Sequence, residues 1–323
     1  MNKRASFGFC WIIAGCFLGV GFVSGVEINK FFGGCGRWGF IALAISLAVA
    51  ILTLYRLAVL TKNGKVLFPS KLNKAFAMIR ALFMLSLLTY SISSAQEILD
   101  CLGVEFNFPW GSLLLAVMIA LLCLANGHSI TRVFSVGVPL IALFCIGYRI
   151  VAGANSPIDT DTKSPFEAII GGIILSAYNV LAGMDAVTRA AKGNVKMGTS
   201  AMLAGAVLWL SGWGILSSTG NSDSMPMLHR VILDSEVLGV AFAGIMLLSL
   251  VGTGVSWTVG LSDMINKNSA LVPVAVCTVA FVGSLLGFDS ITSVIYPVFG
   301  AVGVALVVYI NVIYTVKLNK NKC

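Results

Sequence analysis

Glu27 lies in the stretch GCFLGVGFVSGVEINKFF, where Gly15, Gly19, Gly21 and Gly25 are set around Ser24 in otherwise apolar surroundings. A carboxylate removed from water is costly unless a cation, a proton or a polar cavity compensates it, so it binds a cation, carries a proton or locks a gate. The glycines open a second kind of chemistry. They tolerate nonhelical angles, so a helix can break among them and present carbonyls and helix ends to a substrate or cation. Equally, the Gly15/Gly19 and Gly21/Gly25 spacings suit close packing of two helices. The sequence supports both readings.

Three other stretches carry polar groups in apolar runs. In AIIGGIILSAYNVLAGMDAVTRAAKG, Ser176, Tyr178 and Asn179 interrupt the run, a cluster suited to substrate atoms or to backbone groups freed by a break. Further on, Asp185 and Arg189 stand i,i+4, as a local helix pair or as site residues. In LLTYSISSAQEILD, Tyr90, Ser93, Ser94 and Glu97 share one broad helical face, while Gln96 and Asp100 form another i,i+4 pair. Glu97 and Asp100 also suit an outer membrane interface. In SLVGTGVSWTVG, Ser249, Thr253 and Ser256 share a face, where hydroxyls bind a hard cation such as sodium or simply pack helices. Tyr296-Pro297, followed by Gly300 and Gly303, predicts a bend.

Other chemistries find little support. No phosphate-binding loop, dinucleotide fingerprint, metallohydrolase helix or nucleophilic triad occurs. His128 and His229 fall on opposite sides of the expected membrane, against a shared metal site. The cysteines read as small buried hydrophobes, with a Cys35–Cys101 disulfide as the lesser alternative. The six tryptophans read as interface anchors or packing residues, and no cofactor is expected.

The elements that position these groups follow from composition. Residues are 58% hydrophobic and 11% charged, with mean hydropathy +0.96, against about 25% charge in a soluble domain. Ten apolar stretches fall near 7–32, 38–60, 75–99, 110–125, 130–151, 165–187, 198–216, 235–260, 270–287 and 289–315. Most reach the roughly 17–25 residues that span a hydrocarbon layer, the fourth being the shortest. This predicts an all-α polytopic membrane protein with about ten transmembrane helices in one domain over 1–323. The first run extends to about Phe32 and is expected to be retained as a helix rather than cleaved as a signal peptide.

With a cytoplasmic amino terminus, sixteen of the 21 Lys and Arg residues fall inside and five outside, a strong positive-inside bias. Both termini are then expected in the cytoplasm. Anionic lipid headgroups account for the net charge of +8 without a nucleic-acid partner. Segment six runs opposite to segment one, the arithmetic of an inverted five-plus-five repeat over approximately 7–151 and 165–315.

The run Gly19-Val20-Gly21-Phe22-Val23-Ser24-Gly25-Val26-Glu27, continuing to Phe31-Phe32, resembles the opening of the YkvI-like bacterial membrane proteins. That group is similar to a branch of the amino acid–polyamine–organocation transporter superfamily. The resemblance implies a LeuT-type inverted-repeat fold in the bacterial cytoplasmic membrane. It implies substrate binding at Gly21, Phe22, Ser24, Gly25, Tyr178 and Asn179, with Tyr90 and Ser94 as a wall. It places a candidate sodium site at Gly19, Val20, Ser249, Thr253 and Ser256, though the adjacent Thr-Ser pair of sodium-dependent relatives is missing. Val26 stands where relatives often have glutamine. Helices one, two, six and seven are expected to move against three, four, eight and nine.

The expected function is sodium- or proton-coupled alternating access for an amino acid or related small zwitterion or amine, with Glu27 as coupling or gating carboxylate. A nonconducting ligand sensor, an ion channel and, more weakly, an intramembrane enzyme are the alternatives. Oligomeric state is not legible in the sequence.

Overall fold

The computed structural model describes residues 3–64, 70–104, 107–134, 137–152, 162–191, 196–219, 224–265 and 269–319. Among them every regular element is an α-helix. From the amino terminus, α1 (Lys3–Phe17), α2 (Val20–Val23) and α3 (Val26–Phe32) together form the first apolar segment. Then come α4 (Gly36–Lys62), α5 (Ser70–Cys101), α6 (Trp110–Phe134), α7 (Gly137–Ala152), α8 (Pro165–Ala191) and α9 (Met197–Leu216). The chain continues through α10 (Pro226–Asp234), α11 (Glu236–Ile265), α12 (Leu271–Ser284) and α13 (Phe288–Asn319).

Among the described residues, six helices are long and apolar enough to cross a membrane, and α1, α6, α7 and α12 supply shorter apolar stretches. Ten segments result, with α10 as an added short helix. The fourth segment is longer than its apolar run implied, because α6 continues through the polar Asn126, His128 and Ser129 to Phe134. Hydropathy fades there while the helical hydrogen-bond ladder does not. Of the charged residues used for orientation, Lys65, Glu105, Asp159, Asp161, Lys192, Asp223, Lys267, Lys320 and Lys322 lie outside the described residues, as does the side chain of His128.

Local chemistry sets several boundaries. Ser164 and Glu167 form a reciprocal cap, in which Ser164 N–H donates to Glu167 Oε2 (2.7 Å) and Glu167 N–H to Ser164 Oγ (3.3 Å). Pro165, which has no N–H to satisfy, then starts α8. On α4, Ile41, Ile45, Val49 and Leu52 form an exposed apolar stripe, the surface expected of a helix facing lipid. Together with the spans this makes the chain a multi-pass membrane protein.

Packing divides the helices into two groups. One contains α1, α4, α8 and α9; the other contains α5, α6, α11 and α12, with α13 against α4, α5 and α8, and α7 against α9 and α11. Small residues permit the close approaches. At Gly171 a Cβ would lie 2.7 Å from the Phe31 carbonyl oxygen, and at Gly303 it would collide with that of Ala177. Polar ties cross the same seams: Asn311 of α13 donates to Thr53 of α4 (3.0 Å) and accepts from Arg56.

Pro297 does not interrupt α13. Cys35 and Cys101 are both free thiols. Among the tryptophans, Trp38, Trp110 and Trp209 are exposed on the bundle surface.

Candidate functional site

The first segment breaks where its glycines permit. Leu18 N–H still reaches Ala14 O (3.0 Å), but Gly19 N–H turns to Phe17 O (2.7 Å), so Gly15 O loses the donor an unbroken helix would supply. Gly19 itself is extended (φ −73°, ψ 172°) and starts the single turn α2. A second interruption follows at Gly25, whose φ of +86° is left-handed and suits glycine. Ser24 stitches this corner, its hydroxyl donating to Gly21 O and accepting from Val26 N–H, both at 3.4 Å.

Glu27 lies in the first turn of α3 and is only 3% exposed. Its Oε1 accepts from the Tyr296 hydroxyl of α13 (3.1 Å), while Oε2 has no hydrogen-bond partner. Gly21 gives the carboxyl its room. A Cβ there would collide with Glu27 Oε1 and lie 2.5 Å from the Tyr90 hydroxyl. Aromatic rings complete the surroundings: Tyr178 meets Tyr296 edge to face at 5.4 Å, and Tyr90 stacks on Phe288 at 5.1 Å. Lys30, one turn beyond Glu27, places its ammonium 4.9 Å from the Tyr296 ring centroid.

A chamber of about 50 Å³ opens beside Glu27, bordered by Gly19, Gly21, Tyr90, Tyr178, Asn179 and Thr253. A larger cavity of about 310 Å³ adjoins it, sharing Gly15, Cys16, Ala182, Thr253 and Trp257. This cavity runs toward the start of α1, past Trp11, Asp185, Arg189 and Gly8. Among the described residues, α10 covers the opposite end. Met227 N–H donates to Ser24 O (2.7 Å), and Met225, Met227, Leu228 and Val231 are fully buried. Glu97 accepts from Ser224 just before α10, a second hydrogen bond across that face.

The expected site residues therefore separate. Gly19, Val20, Gly21, Glu27, Tyr90, Tyr178, Asn179 and Thr253 border the small chamber, whereas Ser249 and Ser256 border the larger cavity. Phe22 points at α9, where a Cβ on Gly212 would lie 3.2 Å from its ring. Ser94 donates to Tyr90 O (2.7 Å), and Gly25 packs on Thr219 and Pro226. Ser24, Phe22, Gly25 and Ser94 border neither space.

Of the two readings of segment six, the one with a broken helix needs correction. Segment six is not broken: α8 runs unbroken through Ser176, Tyr178 and Asn179, and no backbone groups are freed there. The polar side chains satisfy themselves on their own helix, Asn179 Nδ2 donating to Leu175 O and Ser176 Oγ to Ile173 O, both at 2.9 Å. Asp185 makes its close ion pair across helices with Arg80 of α5 (3.1 Å), and Arg189 one turn on adds a longer-range attraction. Gln96 and Asp100 do form their i,i+4 bond, at 2.7 Å.

Tyr296 was not legible as a carboxylate partner, its only local signal being the bend-forming Pro297 beside it. Tyr296 lies 269 residues from Glu27, and no local pattern joins them. Nor was α10 legible, its nine residues being too few for a span. Pro226 at the first helical position was the available signal.

Hydroxyls on α11 keep the capacity to bind a hard cation. Thr253 Oγ1 donates to Ser249 O (3.0 Å) and Ser256 Oγ to Gly252 O (2.9 Å), so both oxygens retain lone pairs. Among the described residues no three His, Cys, Asp or Glu side chains gather as a transition metal would require.

No protein-family model matches the chain, and no curated protein matches it in sequence. Solved structures do match. A manganese transporter of Eremococcus coleocola, in complex with an aromatic bis-isothiourea substituted compound, aligns over 95% of this chain and 76% of its own, at 13% identity and TM-score 0.59. MhsT in complex with L-phenylalanine aligns over 93% and 87%, at 15% identity and TM-score 0.63. At such identities the likeness is one of fold: the chain has the LeuT-type transporter fold.

Proposed function

We propose that this chain is a secondary active transporter that moves an amino acid or related small zwitterion or amine by sodium- or proton-coupled alternating access. One observation carries the reading. The break at Gly19 and the buried Glu27 border a chamber that continues into a cavity toward the start of α1, while α10, among the described residues, covers the other end. A site reached from one face and closed to the other is one half of an alternating-access cycle. A channel would need a continuous aqueous path instead.

In this reading the two packed groups of helices rock against each other, and α7 and α13 accommodate the motion. The halves 7–151 and 165–315 are taken as inverted repeats whose symmetry is lost at α8, which stays helical where α1–α3 breaks. The protein is placed in the bacterial cytoplasmic membrane with both termini inside, in the YkvI-like branch. Sodium would use hard oxygens from Gly19, Val20 and Thr253, supplemented by Ser249 and Ser256; a proton would use Glu27.

The test uses purified protein in sealed liposomes, with labelled amino acids and small amines under separately imposed sodium and proton gradients. Gradient-dependent, saturable accumulation that is lost in Glu27→Gln supports coupled transport. Specific binding without accumulation across the panel replaces it with a sensor.

A further inference from the structure

We propose that the larger cavity is an inhibitory site for an aromatic monocarboxylate, which enters from the face where α1 begins and wedges the two packed groups of helices so that they no longer rock. The inhibitory effect rests on the transporter reading above; binding at the site does not.

The place of the cavity decides the effect. Its walls come from α1 and α8 on one side, with Trp11, Gly15, Ala182 and Arg189, and from α5 and α11 on the other, with Met84 and Trp257. Those two pairs of helices belong to different packed groups. The Arg80–Asp185 ion pair crosses the same seam, joining α5 to α8 at 3.1 Å. Rocking that closes this face has to remove the cavity, because packed helices leave little empty space between them. A ligand lodged there holds the two groups apart.

Size and lining set the body of the ligand. At about 15 Å³ per water-sized group, 310 Å³ holds about twenty such groups, room for a bicyclic ring and its head group. Trp11, Ile12, Met84, Val138 and Trp257 border the space, a lining that favours an apolar ring over the water it displaces. The chamber beside Glu27, at about 50 Å³, is too small for the same body.

Charge sets the head group. Among the described residues, Asp185 and Arg189 are the charged side chains that border the cavity. Arg80 already neutralises Asp185 at 3.1 Å, whereas Arg189 attracts it only from longer range. Two guanidinium groups against one carboxylate leave a net positive charge, and the Arg189 fork offers a ligand carboxylate two parallel N–H donors. An ammonium in the same position would meet that positive charge, with the Asp185 carboxylate already taken.

The experiment measures equilibrium binding of labelled 2-naphthoate to the purified chain in nanodiscs, with binding to empty nanodiscs subtracted. Unlabelled 2-naphthamide and 2-naphthylmethylamine compete, keeping the ring and changing the head group, and octanoate competes as an acyl acid without a ring. Expected are saturable binding of 2-naphthoate, affinity about fivefold weaker for the amide, and weaker still for the amine and for octanoate. Arg189→Gln should weaken 2-naphthoate about fivefold and leave the amide unchanged. Ala186→Phe, which places a ring in the cavity, should weaken both at least about tenfold. Should Ala186→Phe misfold by size-exclusion chromatography, Gly8→Leu fills the cavity instead, at a position where a Cβ meets nothing within 4 Å. In liposomes, 2-naphthoate on the face where α1 begins should lower the maximal uptake rate without itself accumulating. Equal binding of acid, amide and amine, or binding unchanged by the cavity-filling variant, overturns the site. Tighter binding of octanoate than of 2-naphthoate overturns the aromatic class. Accumulation of 2-naphthoate makes it a substrate, which overturns the inhibitory assignment and leaves the transporter reading standing. Binding as expected, with no uptake of any amino acid or amine, supports the site and overturns the transporter reading together with the inhibitory effect.

Discussion

Gly21→Ala separates site geometry from fold stability. An added methyl would collide with Glu27 Oε1 and lie 2.5 Å from the Tyr90 hydroxyl, so that hydroxyl must retreat about 0.9 Å to reach ordinary contact at 3.4 Å. Overpacking of this kind costs about 1–3 kcal/mol. Alanine also returns up to about 1 kcal/mol of helix propensity in α2. The net loss of stability is therefore about 0–2 kcal/mol, a small change in the unfolding midpoint. Displacing the carboxyl and hydroxyl by about 1 Å is worth far more to function, on the order of a hundredfold in rate. Initial uptake rates in liposomes against substrate concentration, alongside thermal unfolding, give both numbers. Gly244→Ala on α11, where a Cβ meets nothing within 4 Å, serves as the matched control and keeps normal uptake. A Gly21→Ala protein with wild-type rate and half-saturation would refute the role given to the Gly21–Glu27–Tyr90 contact.

Gly25→Ala is expected to destabilise the folded state itself, by about 1–2 kcal/mol for the left-handed φ plus the 2.9 Å approach to Thr219 Cγ2, read as a lowered unfolding midpoint. Breaking the Arg80–Asp185 pair should favour opening of the larger cavity. A double-mutant cycle with Arg80→Ala and Asp185→Ala should return a coupling of about 1 kcal/mol, since both side chains are partly exposed; additive effects on uptake would show that the pair does not hold the cavity closed. Cys16 borders both the chamber and the cavity, so a membrane-impermeant thiol reagent applied from the face where α1 begins should slow uptake in the wild type and not in Cys16→Ser. Equal inhibition of the two proteins would place the open path elsewhere.

The helices were legible because hydropathy is a local property: a membrane helix satisfies its own backbone, and ten apolar runs found their segments. The break at Gly19 was legible for the same reason. Glycine at 19, 21 and 25 lowers the cost of leaving the helix, and the chain leaves it at Gly19 and Gly25. Ser176, Tyr178 and Asn179 show where local reasoning ends. Polar residues in an apolar run look alike whether the helix opens or its side chains bond back to carbonyls one turn away, and here they bond back. The partners of Glu27 lay beyond any local pattern, because Tyr296 and Tyr90 reach it from α13 and α5 only after packing. Asp185 found Arg80 in the same way. The sequence by itself determined a membrane bundle with one breakable segment and one costly carboxylate. Tertiary packing decided which groups face that carboxylate and which end of the chamber is closed, since both depend on contacts between residues far apart in the chain.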